Sequence, residues 1–164
     1  MSDPKILKEF WYDLTDDQRN AILQNCHEEY DNFLQGKPFN QEFVRKYFKV
    51  IDEKFRRHIK EGSLEFVKMD IQLGVDIHAD DDLALQTAAK KGHLEIVNYL
   101  LDYGSDVHVG DDYALKWAAS CGHLSVVKCL AQHGANIHAD NDYALKWTEA
   151  NGHLKVVEYL KSLS

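Results

Sequence analysis

The sequence of 164 residues is poor in cysteine and proline and contains no long apolar run. Three cysteines are an odd and sparse set, which argues against a disulfide framework and indicates a reducing, intracellular compartment. Both prolines, Pro4 and Pro38, stand near the N-terminus, so the remainder can form helices without interruption. No stretch of about 18 apolar residues could span a membrane. Residues 1–10 are too charged for the apolar segment of a secretory signal.

Arginine is absent after Arg57, and positive charge as a whole decreases along the chain. Residues 1–62 carry 11 Lys and Arg against 12 Asp and Glu, whereas residues 63–164 carry 8 against 15. The net charge of -8 argues against a general nucleic-acid binder, because the phosphate backbone repels an acidic protein. The change in composition near residue 62 indicates two regions.

A repeat of 30 residues occupies the second region. Gly62, Gly92, Gly122 and Gly152 recur at this spacing, and leucines and valines follow them at fixed offsets. Three consecutive units read GVDIHADDDLALQTAAKKGHLEIVNYLLDY, GSDVHVGDDYALKWAASCGHLSVVKCLAQH and GANIHADNDYALKWTEANGHLKVVEYLKSLS. Self-similarity of this degree predicts a repeat architecture.

Each unit is predicted to form two short helices joined by a turn. Asp111 and Asp112 are candidates for the N-cap of the first helix, and Gly122 is expected to end it. Helices of about ten residues are marginal alone, so neighbouring units must cover their apolar faces. We predict that residues recurring in this pattern form a continuous buried core: Leu94, Val97, Leu115, Val127, Leu145 and Val157.

The segments GHLEIVNYLLDYGSDVH and GHLSVVKCLAQHGANIH resemble the second helix of an ankyrin repeat followed by the start of the next repeat. The resemblance covers residues 62–164 strongly and 44–61 weakly, and it implies an all-α, ankyrin-type helix-turn-helix solenoid. The unit is three residues shorter than the usual ankyrin unit of about 33 residues and lacks its Thr-Pro-Leu-His start. In ankyrin repeats, a β-hairpin called the finger connects successive units. We therefore expect this finger to be shortened here and to contain no strand. The wording of the first halves, such as HADDDLALQTAA, resembles the ankyrin arrays of giant amoeba-infecting (mimivirus-like) viruses.

The predicted organisation is a helical N-terminal cap region over residues 1–43, followed by an ankyrin-repeat array over residues 44–164. Within the cap region, capping signals predict helices that end near Asp13 and Gln35. The array comprises a degenerate unit one and three regular units, two to four: 44–73, 74–103, 104–133 and 134–164. Thr148, Glu149 and Lys161 replace apolar residues of the earlier units, so unit four is interpreted as a C-terminal cap with a polar outer face.

No constellation for catalysis stands out. The sequence has no G-x-S-x-G, no phosphate loop, no H-E-x-x-H and no nucleophile with an evident base, so we expect no enzyme activity and no cofactor. The recurring histidines of the joints and linkers are interpreted as hydrogen-bonding groups: His93, His123, His153, His78, His108 and His138. Equivalent histidines of successive units lie about 10 Å apart, which is too distant for two of them to bind one zinc ion. Cys129 and His133 have a metal-compatible spacing but lack a second pair.

The ankyrin resemblance implies a protein-interaction module whose first helices line a concave surface. Two pairs on those helices, Tyr113–Trp117 and Tyr143–Trp147, have the spacing of helix neighbours, and these residue types are favoured interface anchors. Packing beneath a shortened finger explains them equally well, so both interpretations stay open. The carboxylates of the linkers would form an acidic rim that favours a basic partner. The candidates for partner binding are Asp81, Asp82, Asp111, Asp112, Tyr113, Lys116, Trp117, Asp142, Tyr143, Lys146 and Trp147.

The viral resemblance implies a host protein as the partner and the host cytoplasm as the location, and we expect a monomer without membrane association. One alternative is an accessory nucleic-acid-binding protein that uses the basic face of helix 41–61, which carries Arg45, Lys49, Arg56 and Lys60. Another alternative is a structural protein that self-associates. Salt-sensitive retention on heparin and light scattering would distinguish these alternatives.

Asp70 departs from the repeat, because it takes the position of Leu100, Leu130 and Leu160. A bare carboxylate in a core is costly or becomes protonated. We therefore predict that a cation from residues 1–60 pairs with Asp70, with arginine as the favoured partner because its planar group can bind both carboxylate oxygens.

Overall fold

The computed structural model describes residues 52–72 and 75–163. The chain divides into two units after Lys54, and the unit Phe55–Ser164 contains the regular repeats. The described helices are α1 (52–61), α2 (Leu64–Gln72), α3 (Ala79–Lys91), α4 (Leu94–Asp102), α5 (Val109–Ser120), α6 (Leu124–Gln132), α7 (Ala139–Ala150) and α8 (Leu154–Ser162). Within these ranges no β-strand occurs, which confirms the all-α fold and the expected fingers without strands. The helices predicted within residues 1–43 lie outside the described part of the chain.

The repeats place their helices in two rows. The first helices α3, α5 and α7 pack in sequence against each other, and the second helices α4, α6 and α8 form the other row. Neighbours in the first row approach more closely than neighbours in the second, because buried alanines such as Ala88, Ala89, Ala118 and Ala119 lie there. The first helices therefore form the more closely packed row of the array.

The core follows the repeat. Val97, Leu115 and Val127 are 0% exposed and Val157 is 9% exposed, which confirms the predicted burial at these positions. Leu94 and Leu145 are only half-buried. Leu94 is the first residue of its helix, at the edge of the apolar stripe. Leu145 belongs to unit four, in which no following unit covers the first helix within the described chain.

A left-handed turn opens each first helix. Gly110, Asp111 and Asp112 have φ angles of 63°, 54° and 60°, and the three equivalent residues of units two and four are also left-handed. Glycine, asparagine and aspartate adopt the left-handed backbone conformation more readily than other residues, which explains why this segment is rich in aspartate in every unit. The prediction that Asp111 and Asp112 cap the helix is therefore wrong. The N-cap position falls on His108, where no side chain caps the helix.

Glycine and histidine form the joints between units. Gly92 ends α3 with φ of 79°, and the imidazole of His123 from the next unit lies directly above it. The Nε2–H of His123 donates to the carbonyl of Lys90 at 3.0 Å, which satisfies one of the carbonyls left free at the end of a helix. The interpretation of the joint histidines as hydrogen-bonding groups is confirmed. The same donation recurs from His93 to Lys60 and from His153 to Ser120.

Asp70 is buried and paired, but the described partner is a histidine. The carboxylate is 2% exposed, and its Oδ2 lies 2.6 Å from Nδ1 of His58. The His58 ring stacks on Phe66 with centroids 4.9 Å apart. The prediction that Asp70 is buried and paired with a residue of the segment 1–60 is confirmed, but the residue in this contact is a histidine and not the favoured arginine. A flat imidazole fits between the buried carboxylate and the ring.

The polar residues of unit four divide between core and surface. Thr148 is 0% exposed, so its placement on an outer face is wrong. Its hydroxyl donates to the carbonyl of Ala144 at 2.6 Å, and this bond within one turn of the helix satisfies the hydroxyl inside the core. Glu149 and Lys161 are exposed and pair at 2.7 Å, as a polar outer face requires.

Candidate interaction surface

Two aromatic pairs lie side by side on the first-helix row. The rings of Tyr113 and Trp117 meet edge to face with centroids 5.9 Å apart, and those of Tyr143 and Trp147 stack at 5.4 Å. Tyr113 is 42% exposed and Trp147 is 47% exposed, whereas Trp117 and Tyr143 are half-buried. The prediction that all four are partly accessible is confirmed. Each pair thus packs and remains open to solvent, with the tyrosine more exposed in unit three and the tryptophan in unit four.

Lysines accompany these rings. Lys90 Nζ lies 3.7 Å from the centroid of the Trp117 ring, the closest such approach in the described ranges. Lys116 Nζ lies between two tyrosines, 5.0 Å from the Tyr113 centroid and 5.5 Å from that of Tyr143. An ammonium group above an aromatic face is attracted by the electron density of the ring. Sequence reasoning missed Lys90, because its contact with Trp117 joins two units and the residue 27 positions before Trp147 is Ser120 and not a lysine.

Three candidates from the sequence are buried and cannot contact a partner directly. Asp82 is 4% exposed, Asp112 is 5% exposed and Lys116 is 5% exposed, so their assignment to a binding surface is corrected. Lys116 instead reaches Asp140 of the next unit, with its Nζ 3.6 Å from the carboxylate. The left-handed turn directs Asp82 and Asp112 inward, whereas the residues before them in each turn, Asp81 and Asp111 among them, stay exposed.

The inward carboxylates hold the linkers together. Asp112 Oδ1 accepts the backbone N–H of Asn136 at 3.0 Å and lies 3.1 Å from Nδ1 of His108, so it joins unit three to unit four. In unit four the equivalent carboxylate, Asp142, is only half-buried, and its partner His138 is exposed. The linker histidines thus serve as hydrogen-bonding groups, as the sequence predicts. They bond within their own unit, however, and the link across units comes from Asp112.

The remaining lysine candidate and the outer acids lie at the surface. Lys146 is exposed, and its Nζ donates to the carbonyl of Asn141 at 2.5 Å, within its own unit. Asp81 and Asp111 are exposed, and Asp142 is half-buried. Asp80, which the candidate set omitted, is exposed and forms a salt bridge with Arg56. Arg56 is one of the basic residues behind the nucleic-acid alternative, and this salt bridge places a carboxylate beside its guanidinium.

Cys129 and His133 serve packing in the described structure. The Cys129 thiol donates to Oδ1 of Asn98 with Sγ 2.9 Å away, whereas His133 Nδ1 stands 3.8 Å from the sulfur. Burial, followed by the charge of Asp102, raises the pKa of the Cys129 thiol, so the thiol stays protonated. Residues 52–72 and 75–163 contain no group of three His, Cys, Asp or Glu side chains that could hold a metal ion.

Residues 85–163 match the family model described as ankyrin repeats (3 copies). This match covers the helices α4 to α8 and most of α3, and it identifies the matched part as an all-α ankyrin-repeat array. Ankyrin repeats in general mediate protein–protein contacts and are typically not catalytic. No curated protein matches the chain. None of the helices within the described ranges is long and apolar enough to cross a membrane.

Proposed function

We propose that the chain is a protein-interaction module and that the aromatic surface of units three and four binds its partner. The observation that supports this best is the pair of exposed aromatic side chains, Tyr113 and Trp147, on a row of closely packed helices. Tyrosine and tryptophan supply large apolar area with few rotatable bonds, so they lose little entropy on binding. The function is passive and non-catalytic.

The mechanism is presentation on a rigid support. Trp147 rests on Tyr143, and Trp117 is held between Tyr113 and Lys90, so these rings have defined positions before a partner arrives. The exposed Asp81, Asp111 and Lys146 belong to the same row of first helices and supply polar groups for a rim. A preformed anchor with a polar rim is the usual anatomy of a protein interface.

The proposal includes the finer expectations from the sequence. The partner is a host protein in the host cytoplasm if the chain is viral, and the wording of the first halves of the repeats supports that origin. The chain acts as a monomer, with residues 1–43 as a cap region before the array. Sedimentation at several concentrations tests the monomer, and a concentration-dependent mass would favour the self-associating alternative.

Site-specific photocrosslinking tests the function. A photoreactive phenylalanine analogue at position 113 should crosslink one defined protein from the cell that makes the chain. The same analogue at Tyr103 is the matched control, because Tyr103 is 53% exposed at the end of a second helix, away from the aromatic surface. Equal crosslinking at both positions, or none at position 113, would contradict the proposed surface.

The nucleic-acid alternative has its own control. Arg56 is paired with Asp80, and the array is acidic, so we expect no retention on heparin at moderate salt. Salt-sensitive retention that Arg56→Ala and Lys60→Ala abolish together would favour the alternative instead.

A further inference from the structure

Lysines of one unit repeatedly lie over aromatic rings of the next unit. The shortest of these contacts joins Lys90 Nζ to the Trp117 ring at 3.7 Å. The others measure 5.3 to 5.9 Å between Nζ and the ring centroid, and they pair Lys68 with Tyr99, Lys116 with Tyr143 and Lys128 with Tyr159. An ammonium group over an aromatic face is therefore a recurring contact of this array.

Among the four aromatic rings of units three and four on the first-helix row, Trp147 is the one that lacks such a lysine. Lys90 precedes Trp117 by 27 residues, and the residue 27 positions before Trp147 is Ser120. The hydroxyl of Ser120 lies 3.1 Å from Nδ2 of Asn151 and carries no charge. Across residues 52–72 and 75–163, no lysine or arginine lies over the Trp147 ring, which is 47% exposed.

The charge of the array favours a cation at Trp147, because residues 63–164 carry 15 Asp and Glu against 8 Lys and Arg. Asp140 is exposed and Asp142 half-buried at the start of the same helix, and Glu149 is exposed near its end. Three lysines of units three and four are engaged in other contacts: Lys116 Nζ lies 3.6 Å from Asp140, Lys161 pairs with Glu149, and Lys146 donates to the carbonyl of Asn141. An open indole on an acidic array attracts an ammonium or guanidinium group from another molecule.

We propose that Trp147 receives a lysine or arginine side chain of the partner protein, so that the contacting segment of the partner is basic. The cation of the partner occupies the same position above the Trp147 ring that Lys90 Nζ occupies above the Trp117 ring. This inference rests on the proposed function, since it names the chemistry that the aromatic surface recognises.

A blocked hexa-arginine peptide is a direct probe of this site. At low ionic strength, titration should shift the NMR signal of the Trp147 indole N–H more than that of Trp117, whose ring Lys90 already covers. Single Trp→Phe variants assign the two signals. Equal shifts of both signals, or no shift of the Trp147 signal, would overturn the proposal.

A pair of serine variants separates the ring contact from bulk charge. Ser120→Lys places a lysine at the register of Lys90, and it should weaken peptide binding about 3- to 30-fold by covering Trp147. Ser125→Lys adds the same charge at an exposed site on α6, in the second-helix row, and should change the affinity about twofold or less. Equal losses in the two variants would overturn the proposal.

The reverse exchange, Lys90→Ser, should add a response of the Trp117 signal to the peptide. Lys90→Ser uncovers Trp117, so the peptide should now shift its indole signal as well, with the thermal unfolding midpoint as the check on folding. An unchanged Trp117 signal in this variant would contradict the assigned role of Lys90.

Failure of this inference and failure of the proposed function are distinguishable. If the partner crosslinks at position 113 and Ser120→Lys binds it as tightly as the parent chain, the basic-segment proposal is wrong and the interaction surface stands. If the parent chain gives no crosslink at position 113, the surface itself is wrong.

Discussion

Units three and four share most of their sequence, yet the same residues lie in different environments. Both read DYALKW in the first helix and GHL at the joint. Leu115 is fully buried, whereas its counterpart Leu145 is half-buried. Lys116 is buried and reaches Asp140 of the next unit, whereas Lys146 is exposed and bonds within its own turn. The difference lies in the neighbour, because unit four covers unit three.

The joints repeat this contrast. A side-chain carbon added to Gly122 would lie 2.6 Å from the His153 ring, whereas at Gly152 it would meet nothing within 4 Å. A repeated residue in such an array has one conformation, set by its own sequence, but its burial and partners depend on the unit stacked upon it. A nearest-neighbour description of stability expresses this dependence.

The largest effect is expected in unit one, where Asp70 replaces the leucine that the other units carry at this position. Asp70→Ala should destabilise the chain by about 3–5 kcal/mol, because it leaves His58 buried without this carboxylate. Thermal unfolding measures the loss. Glu65→Ala is the control on the same helix, since its pair with Lys68 is exposed to solvent and its loss should leave the thermal unfolding midpoint nearly unchanged. A stability equal to that of the parent would contradict a buried pair at Asp70.

Substituting the joint glycines tests the contrast directly. Gly122→Ala should cost about 2–4 kcal/mol, because a left-handed conformation is unfavourable for alanine and the His153 ring must move off its carbonyl acceptor. Gly152→Ala has the same conformational penalty without the collision and should cost about 1–2 kcal/mol. Urea unfolding of both variants gives the difference. Equal losses would mean that the packing of the His153 ring on Gly122 does not contribute to stability.

Sequence patterns predicted the helices well and the linkers poorly. Val97, Leu115 and Val127 recur at helical spacing, so both their helices and their burial could be predicted. The prediction that Asp111 and Asp112 cap the helix was wrong because aspartate is favoured both at helix N-caps and in left-handed turns. Only the geometry of the linker decides between the two. The aromatic pairs were found from spacing alone. Lys90 was not, since its contact joins two units and no pattern within one unit indicates it.

Asp112 and Asp142 extend the comparison to the left-handed turns. Asp112→Ala should cost about 1–2 kcal/mol more than Asp142→Ala, because Asp112 is buried and accepts the backbone N–H of Asn136. The conformational cost of alanine in a left-handed turn is common to both variants and cancels in the difference. Parallel thermal melts measure it. If the two losses are equal, the carboxylate of Asp112 does not contribute to the junction of units three and four.

The smallest effect is expected on the outer face of unit four, where Glu149 and Lys161 pair at 2.7 Å. Both side chains are about half exposed, at 46% and 57%, so solvent and salt weaken their attraction. A double-mutant cycle of Glu149→Ala and Lys161→Ala should give a coupling of about 0.2–1 kcal/mol that decreases at high salt. Glu149→Ala also installs the alanine that unit three carries as Ala119, which is fully buried against its neighbour. With no unit stacked on it in the described chain, that alanine should regain none of the stability that Ala119 derives from burial. A Glu149→Ala variant more stable than its parent would contradict this account, because it would show that another surface covers the outer face of unit four.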